Sequence, residues 1–285
     1  MKIIRSCAEM REYSLAAKGG GSSIGLVPTM GALHEGHISL LKTAERYCDI
    51  AVMSIFVNPA QFGPREDFEK YPRQLERDCE LAKTAGCGCV FVPPVEEIYP
   101  KNYNTYVTVE NITDTLCGAS RPGHFRGVAT VVLKLFNTVM TDTAVFGAKD
   151  AQQVIVIKRM VEDLNLPVRI IVSPTLRESD GLAMSSRNAY LSPKERMEAP
   201  LIYKGLTAAK KLYDDGLRDS YKIRKSVLPA LNEGSLIRPE YVEVVDMVQV
   251  KPLDEIEGPA LLAISCRTLN TGTRLIDNVV LGGSL

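Results

Sequence analysis

No stretch of this sequence approaches the roughly 18 consecutive apolar residues of a membrane span. The first residues, MKIIRSCAEMREYS, interleave charged and apolar positions, which is not the pattern of a signal peptide. Neither sign of charge is in excess. Lys+Arg and Asp+Glu both number 34, so the formal net charge is zero. A general nucleic-acid binder shows a basic excess, so that class is disfavoured, while a local basic pocket is still allowed. Histidine is scarce, with three in 285 residues. The seven cysteines are an odd number scattered along the chain, which fits reduced cytoplasmic thiols better than a disulfide framework. Cys87 and Cys89 lie in CGCVFVP, which reads as a buried strand, and no second cysteine pair stands at zinc-site spacing. The P-loop pattern G-x-x-x-x-G-K-[ST] and the dinucleotide pattern G-x-G-x-x-G are both missing. GGGSS (19–23) precedes a strand instead of following one. Any nucleotide site must therefore be built another way. There are no internal repeats and no low-complexity tracts.

What is present is an ordinary globular composition, 45% apolar and 24% charged, on a chain long enough for one large domain or two modest ones. SIGLVP (23–28), DIAVMSIFVNP (49–59), CVFVPP (89–94), TAVFGAKD (143–150, ending in a turn) and PVRIIVSP (167–174) read as strands, several of them apolar enough to be buried on both faces. Helical spacing falls between them. HEGHISLLKTAERYC (34–48) places Ile38, Leu41 and Ala44 on one face with Leu40 beside them. Residues 65–86 form a charged helix stopped at Gly86, and residues 127–140 and 151–165 are further helices. Residues 95–125 are irregular, with NTYVTVEN (104–111) as an edge strand. This alternation predicts an α/β fold, a Rossmann-like doubly wound parallel sheet. After about residue 180 the order changes. Residues 192–216 and 220–234 read as two helices, and EYVEVVDM, ALLAISCRTL and TRLIDNVVL as antiparallel strands. The expectation is a nucleotide- and substrate-binding domain over 1–180 and a smaller α+β domain over 181–285, with RESDGLAMSSRN (177–188) at the junction.

In an open parallel sheet, ligands bind beyond the carboxyl ends of the strands. The loops 28–37, 58–63 and 147–153 lie there. The first, PTMGALHEGH, carries two histidines three residues apart beside glycines. Three readings compete. The rings could fill core. With His124 they could form a three-histidine zinc site using every histidine in the chain, although H-E-G-H is one residue shorter than the metalloprotease H-E-x-x-H. They could also hold phosphate, where a helix start offers unpaired N–H groups, Gly31 and Gly36 allow close approach, and imidazoles donate to oxygens under developing charge.

H-x-G-H after the first buried strand, followed far downstream by AMSSRN (183–188), resembles the HIGH-type nucleotidylyl transferase superfamily. There a Met-Ser loop, usually with a lysine where Ser186 stands, accompanies the histidines. A more specific resemblance is carried by VPTMGALHEGHISL, FVNPAQF, YPR, RPGHFRGV, VFGAKDAQQ and GLAMSSRN. Together, over about 25–190, these resemble the pantoate–β-alanine ligase (pantothenate synthetase) family. Ala148 departs from that pattern, since many members have glutamate there.

The resemblance implies ATP-dependent condensation of pantoate with β-alanine through a pantoyl adenylate, with release of pyrophosphate and AMP, by a homodimer using Mg²⁺. It assigns His37 as proton donor, with His34 and Lys149 as the other catalytic groups. ATP contacts would come from Met30, Gly31, Ala32, Leu33, His34, Glu35, Gly36, His37, Gly147, Ala148, Lys149, Asp150, Leu176, Met184, Ser185, Ser186 and Arg187. Gln61 and Gln153 would hold pantoate, Gln61 also bordering β-alanine, with Asn58, Tyr71 and Arg121 lining the substrate end. No residue stands out as a magnesium ligand. Plainer roles exist for several of these. Gln61 could be a turn residue after Asn-Pro, Asp150 a helix N-cap, and Ser185 and Ser186 ordinary loop. Beside the ligase stand a related nucleotidylyltransferase acting on another small acceptor, a zinc hydrolase, and a catalytically silent nucleotide-binding module.

Overall fold

The apolar runs form the centre of a sheet. The computed structural model describes residues 1–64 and 66–285. In chain order the elements are β1 (Lys2–Ile4), α1 (Cys7–Gly19), β2 (Ile24–Thr29), α2 (Glu35–Ala44), β3 (Ile50–Ile55), α3 (Leu75–Thr84), β4 (Cys89–Phe91), α4 (Val95–Ile98), α5 (Leu116–Ser120), α6 (His124–Val139), β5 (Thr143–Gly147), α7 (Ala151–Asp163) and β6 (Arg169–Ser173). They continue with α8 (Pro193–Glu198), α9 (Leu201–Asp214), α10 (Ser220–Leu231), β7 (Ile237–Asp246), β8 (Ala260–Thr268) and β9 (Arg274–Leu281). The chain divides into two compact units, 1–110 with 121–147 and 156–173, and 111–120 with 148–155 and 174–285.

The first unit carries a six-stranded sheet in the order β1-β4-β3-β2-β5-β6, and every pairing is parallel. From β2 the chain winds outward through β3 and β4, then returns to β5 on the opposite side. The switch point therefore lies between β2 and β5, where the doubly wound fold opens a crevice. Pro28 shapes that crevice. It has no backbone N–H for a ladder. Pairing of β2 with β5 runs only to Leu26↔Ala144, whereas β2 stays paired with β3 as far as Thr29↔Ile55. Beneath lies a core that includes Val27, Leu33, Leu41, Met53, Val90 and Val145.

In the second unit, β7-β8-β9 form an antiparallel sheet. Ile202 and Leu206 of α9 and Ile223 and Val227 of α10 share its core with Val244, Leu262 and Ile264. Gly205 lets the two helices approach, since a Cβ there would lie 2.8 Å from Val227. Gln152 ties the outlying segments of this unit together. It accepts from Cys117 N (2.9 Å) and donates to Ile112 O and Thr115 O.

The parallel sheet, the helix over 127–140 and the antiparallel strands follow the sequence reading. Four features differ. Residues 104–111 form no strand, and Val107 N instead donates to Thr130 Oγ1. The charged helix expected over 65–86 starts at Leu75; Arg65 lies outside the described residues. The helix expected over 192–216 is broken into α8 and α9 at Ala199–Pro200, because proline cannot donate to the preceding turn. β1 and α1 had no counterpart in the sequence reading. Both are too weakly patterned to read locally, and β1 exists because β4 offers it an edge.

SPKE (192–195) forms a capping box. Glu195 is fully buried and accepts from Ser192 N, Ser192 Oγ, Asn270 N and Thr271 N at 2.7 to 3.0 Å, pinning the β8–β9 turn to α8. Burial works to raise its pKa, but the backbone N–H of Thr271 and the two Ser192 donors outweigh it and hold the carboxyl at about 2 instead of the usual 4.5. A carboxyl depressed in the folded state stabilises above its unfolded value and loses that contribution as pH falls toward the folded one. Glu195→Gln is therefore expected to lower Tm at pH 7 by ~5 °C. The gap from the parent protein should narrow as pH drops from 4.5 toward 2, as read by thermal melts across that range.

Candidate active site

β2 ends at Thr29, and the loop that follows is closed by its own hydrogen bonds. Thr29 Oγ1 donates to Ser54 O and accepts from Gly31 N. Gly31 and Ala32 are both left-handed, at φ 83° and 50°. Their successors point inward, with Ala32 N and Leu33 N each donating 2.8 Å bonds to the Asp78 carboxylate. His34 then caps α2. Its Nδ1 accepts from Gly36 N at 3.1 Å, and His37 Nδ1 accepts from His34 N at 3.3 Å, a capping box made of two imidazoles. Their ring centroids are 4.1 Å apart.

This arrangement settles the tautomers. A backbone N–H can only donate, so each Nδ1 is an acceptor and each ring proton sits on Nε2. It also changes the expected role of the helix start. The N–H groups of His34, Gly36 and His37 are used within the turn, the last by His34 O. Those amides are thus committed to the turn, and the donor that each ring carries is its Nε2–H. Glu35 is exposed and Gly36 half-buried.

The loop after β3 presents Gln61. Asn58, 1% exposed, orients it with a saturated side chain. Asn58 Nδ2 donates to Gln61 Oε1 (3.0 Å) and to Gly127 O, and Asn58 Oδ1 accepts from Tyr99 O–H (2.8 Å) and Ala60 N. Gln61 Nε2 reaches Met30 Sδ at 3.0 Å, so the structure brings Met30, Asn58 and Gln61 together. Gly127 makes the approach of α6 possible, since a Cβ there would lie 2.2 Å from Ala60 O. Arg121 is engaged on the same loop. It pairs with Glu66 through two bonds (2.6 and 2.8 Å) and donates to Gln61 O. Burial opposes the Glu66 charge, and the Arg121 guanidinium outweighs it, holding the carboxyl below the usual range. His124 Nδ1 donates to the same Gln61 carbonyl, while its Nε2 faces Arg121 NH1. His124 therefore serves the Gln61 turn, and among the described residues no three His, Cys, Asp or Glu side chains gather to hold a metal. Tyr71 is buried, packed edge-on to Phe62.

β5 ends at Gly147. In the second unit, residues 148–150 form a 3-10 turn, and Asn278 Nδ2 donates to both Ala148 O and Lys149 O at 2.9 Å. That grip is on the main chain, so alanine at 148 leaves it intact. Lys149 Nζ is 3.8 Å from Asp150. Leu176 and Met184 are joined by a backbone bond, Met184 N to Leu176 O. Ser185 caps the 3-10 turn 186–190 that carries Ser186 and Arg187. Lys149, Ser185, Tyr203 and Asp277 line one small cavity. Arg177 is clamped to Asp277 by two bonds and stacks on Tyr203 at 3.6 Å. Gln153 is half-buried on α7, next to the fully engaged Gln152.

Asp78, Tyr99, Glu66, Asp277 and Asn278 escaped the sequence reading. Asp78 left one trace. It sits with Leu75, Cys79 and Ala82 on the apolar face of α3, where an aspartate needs a reason.

The family model for pantoate-beta-alanine ligase matches residues 2–280. A pantothenate synthetase of Moorella thermoacetica is 54% identical over 281 residues, and that of Pelotomaculum thermopropionicum 52% over 282, each match covering 99% of both chains. The crystal structure of pantothenate synthetase from Thermus thermophilus superposes with a TM-score of 0.93 at 42% identity, covering 99% of this chain and 100% of that one. A pantoate-beta-alanine ligase from Francisella tularensis, complexed with beta-gamma ATP and beta-alanine, gives 0.79 at 32% identity, covering 100% of this chain and 99% of that one. Similarity of this depth along the whole chain means that the protein belongs to the pantoate–β-alanine ligase family.

Proposed function

We propose that the chain condenses pantoate with β-alanine at the expense of ATP, through a pantoyl adenylate, releasing pyrophosphate and AMP. The observation that carries this reading is the histidine capping box at the carboxyl end of β2, in a chain that matches the ligase family end to end. In the first half-reaction the pantoate carboxylate attacks the α-phosphorus and pyrophosphate leaves. No protein nucleophile is needed. The protein has to hold two anions in line and stabilise charge as it builds on the phosphoryl oxygens. His34 and His37 suit that task because their Nε2–H groups are donors without being cations, and the bond each Nδ1 accepts strengthens the donor on the far side of the ring. His37 gives its hydrogen bond to the phosphate chain as charge develops. Lys149 adds a cation for the departing pyrophosphate.

Gln61 holds pantoate, since an amide both accepts from and donates to hydroxyls. Asn58 and Tyr99 aim it, and Arg121 shapes the turn that carries it. Gln153 is the second pantoate amide. Leu176 and Met184 to Arg187 contact adenine and phosphate, the latter four from a smaller domain at 181–285, with Met30 to His37 and Gly147 to Asp150 as the other ATP segments. Mg²⁺ arrives as part of the MgATP substrate. The described residues form no cage for it, and Asp150 is the carboxylate of the 147–150 segment. In the second half-reaction the β-alanine amine attacks the mixed anhydride and AMP leaves. A cytoplasmic homodimer completes the proposal. All seven cysteines are free thiols, which suits a reducing compartment, and no described helix is long and apolar enough to cross a membrane. Sedimentation equilibrium reads the dimer.

ATP–pyrophosphate exchange should require pantoate, and AMP should appear only when β-alanine is added. Exchange without pantoate would move the assignment to a nucleotidylyltransferase with another acceptor. His37→Ala is expected to lower kcat by about 10²- to 10³-fold while ATP affinity falls less than tenfold, measured by steady-state kinetics beside calorimetric titration. His34→Asn keeps an N-capping side chain and removes Nε2–H, so its Tm should stay near that of the parent while turnover falls by a comparable factor. Tyr99→Phe removes the O–H donated to Asn58 and should raise KM for pantoate several-fold, with the KM for ATP unchanged and a stability loss of about 1 kcal/mol.

A further inference from the structure

From Gly31 to His37 nearly every backbone N–H has an identified acceptor. Gly31 N goes to Thr29 Oγ1, Ala32 N and Leu33 N go to Asp78, His34 N and Gly36 N go to the two imidazoles, and His37 N goes to His34 O. Only one member of this set comes from outside the loop and its strand. Asp78 reaches in from α3, 46 residues downstream of Ala32. We propose that Asp78 is the positioning residue of the histidine pair, its carboxylate clamping Ala32 and Leu33 so that His34 and His37 present Nε2–H at a fixed place. This rests on the ligase reading above.

Three observations support the clamp. Asp78 is 1% exposed on a helix face otherwise made of apolar side chains. The loop is shaped to receive it. Gly31 is left-handed at φ 83°, and a Cβ there would lie 2.9 Å from Asp78 Oδ2, so the carboxylate can come this close only because residue 31 is glycine. Ala32 is held at φ 50°, a conformation that an alanine adopts only when its surroundings impose it. Leu33, the next residue, drops into the core at 3% exposed, so the two N–H bonds set the direction from which the chain enters α2.

The charge is also kept against a cost. Burial pushes the Asp78 carboxyl above its usual range, and the Leu33 and Ala32 N–H groups offset that only in part. A carboxyl raised in the folded state costs stability at neutral pH, a cost lifted as pH falls through its folded value.

Asp78→Asn tests this. The amide keeps one acceptor and turns a donor toward the second N–H. With the variant folded by circular dichroism, pantoate-dependent ATP–pyrophosphate exchange should fall at least about 30-fold while KM for β-alanine stays within twofold. Hydrogen exchange at the amides of residues 32–34 should quicken at least about tenfold, with the rest of the sheet unchanged. Parent-like exchange at both the phosphate and the amides would overturn the proposal. So would a uniform rise in amide exchange across the first unit, the mark of a merely structural role. If Asp78→Asn does not fold, Gly31→Ala, whose Cβ meets the carboxylate, must give the same localised signature or the clamp is wrong. A parent protein with no pantoate-dependent exchange would defeat the ligase reading alone, and the amide measurements would still judge the clamp.

Discussion

A chain that leaves a parallel strand to start a helix must find acceptors for a run of backbone N–H groups within a few residues. Between β2 and α2 this constraint is met by a hydroxyl, a buried carboxylate and two imidazoles. The site depends on that solution. By accepting from the main chain at Nδ1, each histidine is forced to carry its proton on Nε2. The same bonds that begin the helix therefore fix which nitrogen of each ring is the donor.

The strand before it contributes through a missing donor. Pro28 cannot continue a ladder, and the β2–β5 pairing stops short while β2–β3 runs on. The crevice of a doubly wound sheet lies where strand order reverses, and here its opening is written into one residue of PTMG. The Gln61 turn shows the same economy. Asn58, expected at the substrate end, makes four hydrogen bonds inside the protein, one of them to the Gln61 side chain. Arg121 likewise spends its charge on Glu66 and the Gln61 carbonyl.

Much of this was legible in advance. Strands buried on both faces announce themselves as apolar runs, and the spacing of Ile38, Leu41 and Ala44 marks α2, because both patterns are local and repeat every few residues. The order of short motifs pointed to the family. The failures were also physical. TYVTV (105–109) has the composition of a strand but forms none, and Val107 N donates to a side chain, Thr130 Oγ1. β1 has little local pattern and forms because β4 supplies an edge. The expected long helix at 192–216 ignored what Pro200 does to a helical turn.

The residue order alone decided the alternation of strands and helices, the place of the histidines at a strand end and their three-residue spacing. These are matters of neighbours and periods. Only the folded chain decided the tautomer of each histidine, the clamp on the loop and the partners of Asn58, Arg121 and Lys149. Those depend on groups such as Asp78, Tyr99 and Asn278, which the packing of distant elements brings within 3 Å and which no local pattern connects. The physical reason is the hydrogen bond itself. It is short-ranged and obligatory for buried polar groups, so its partners are chosen by whatever the core places beside them.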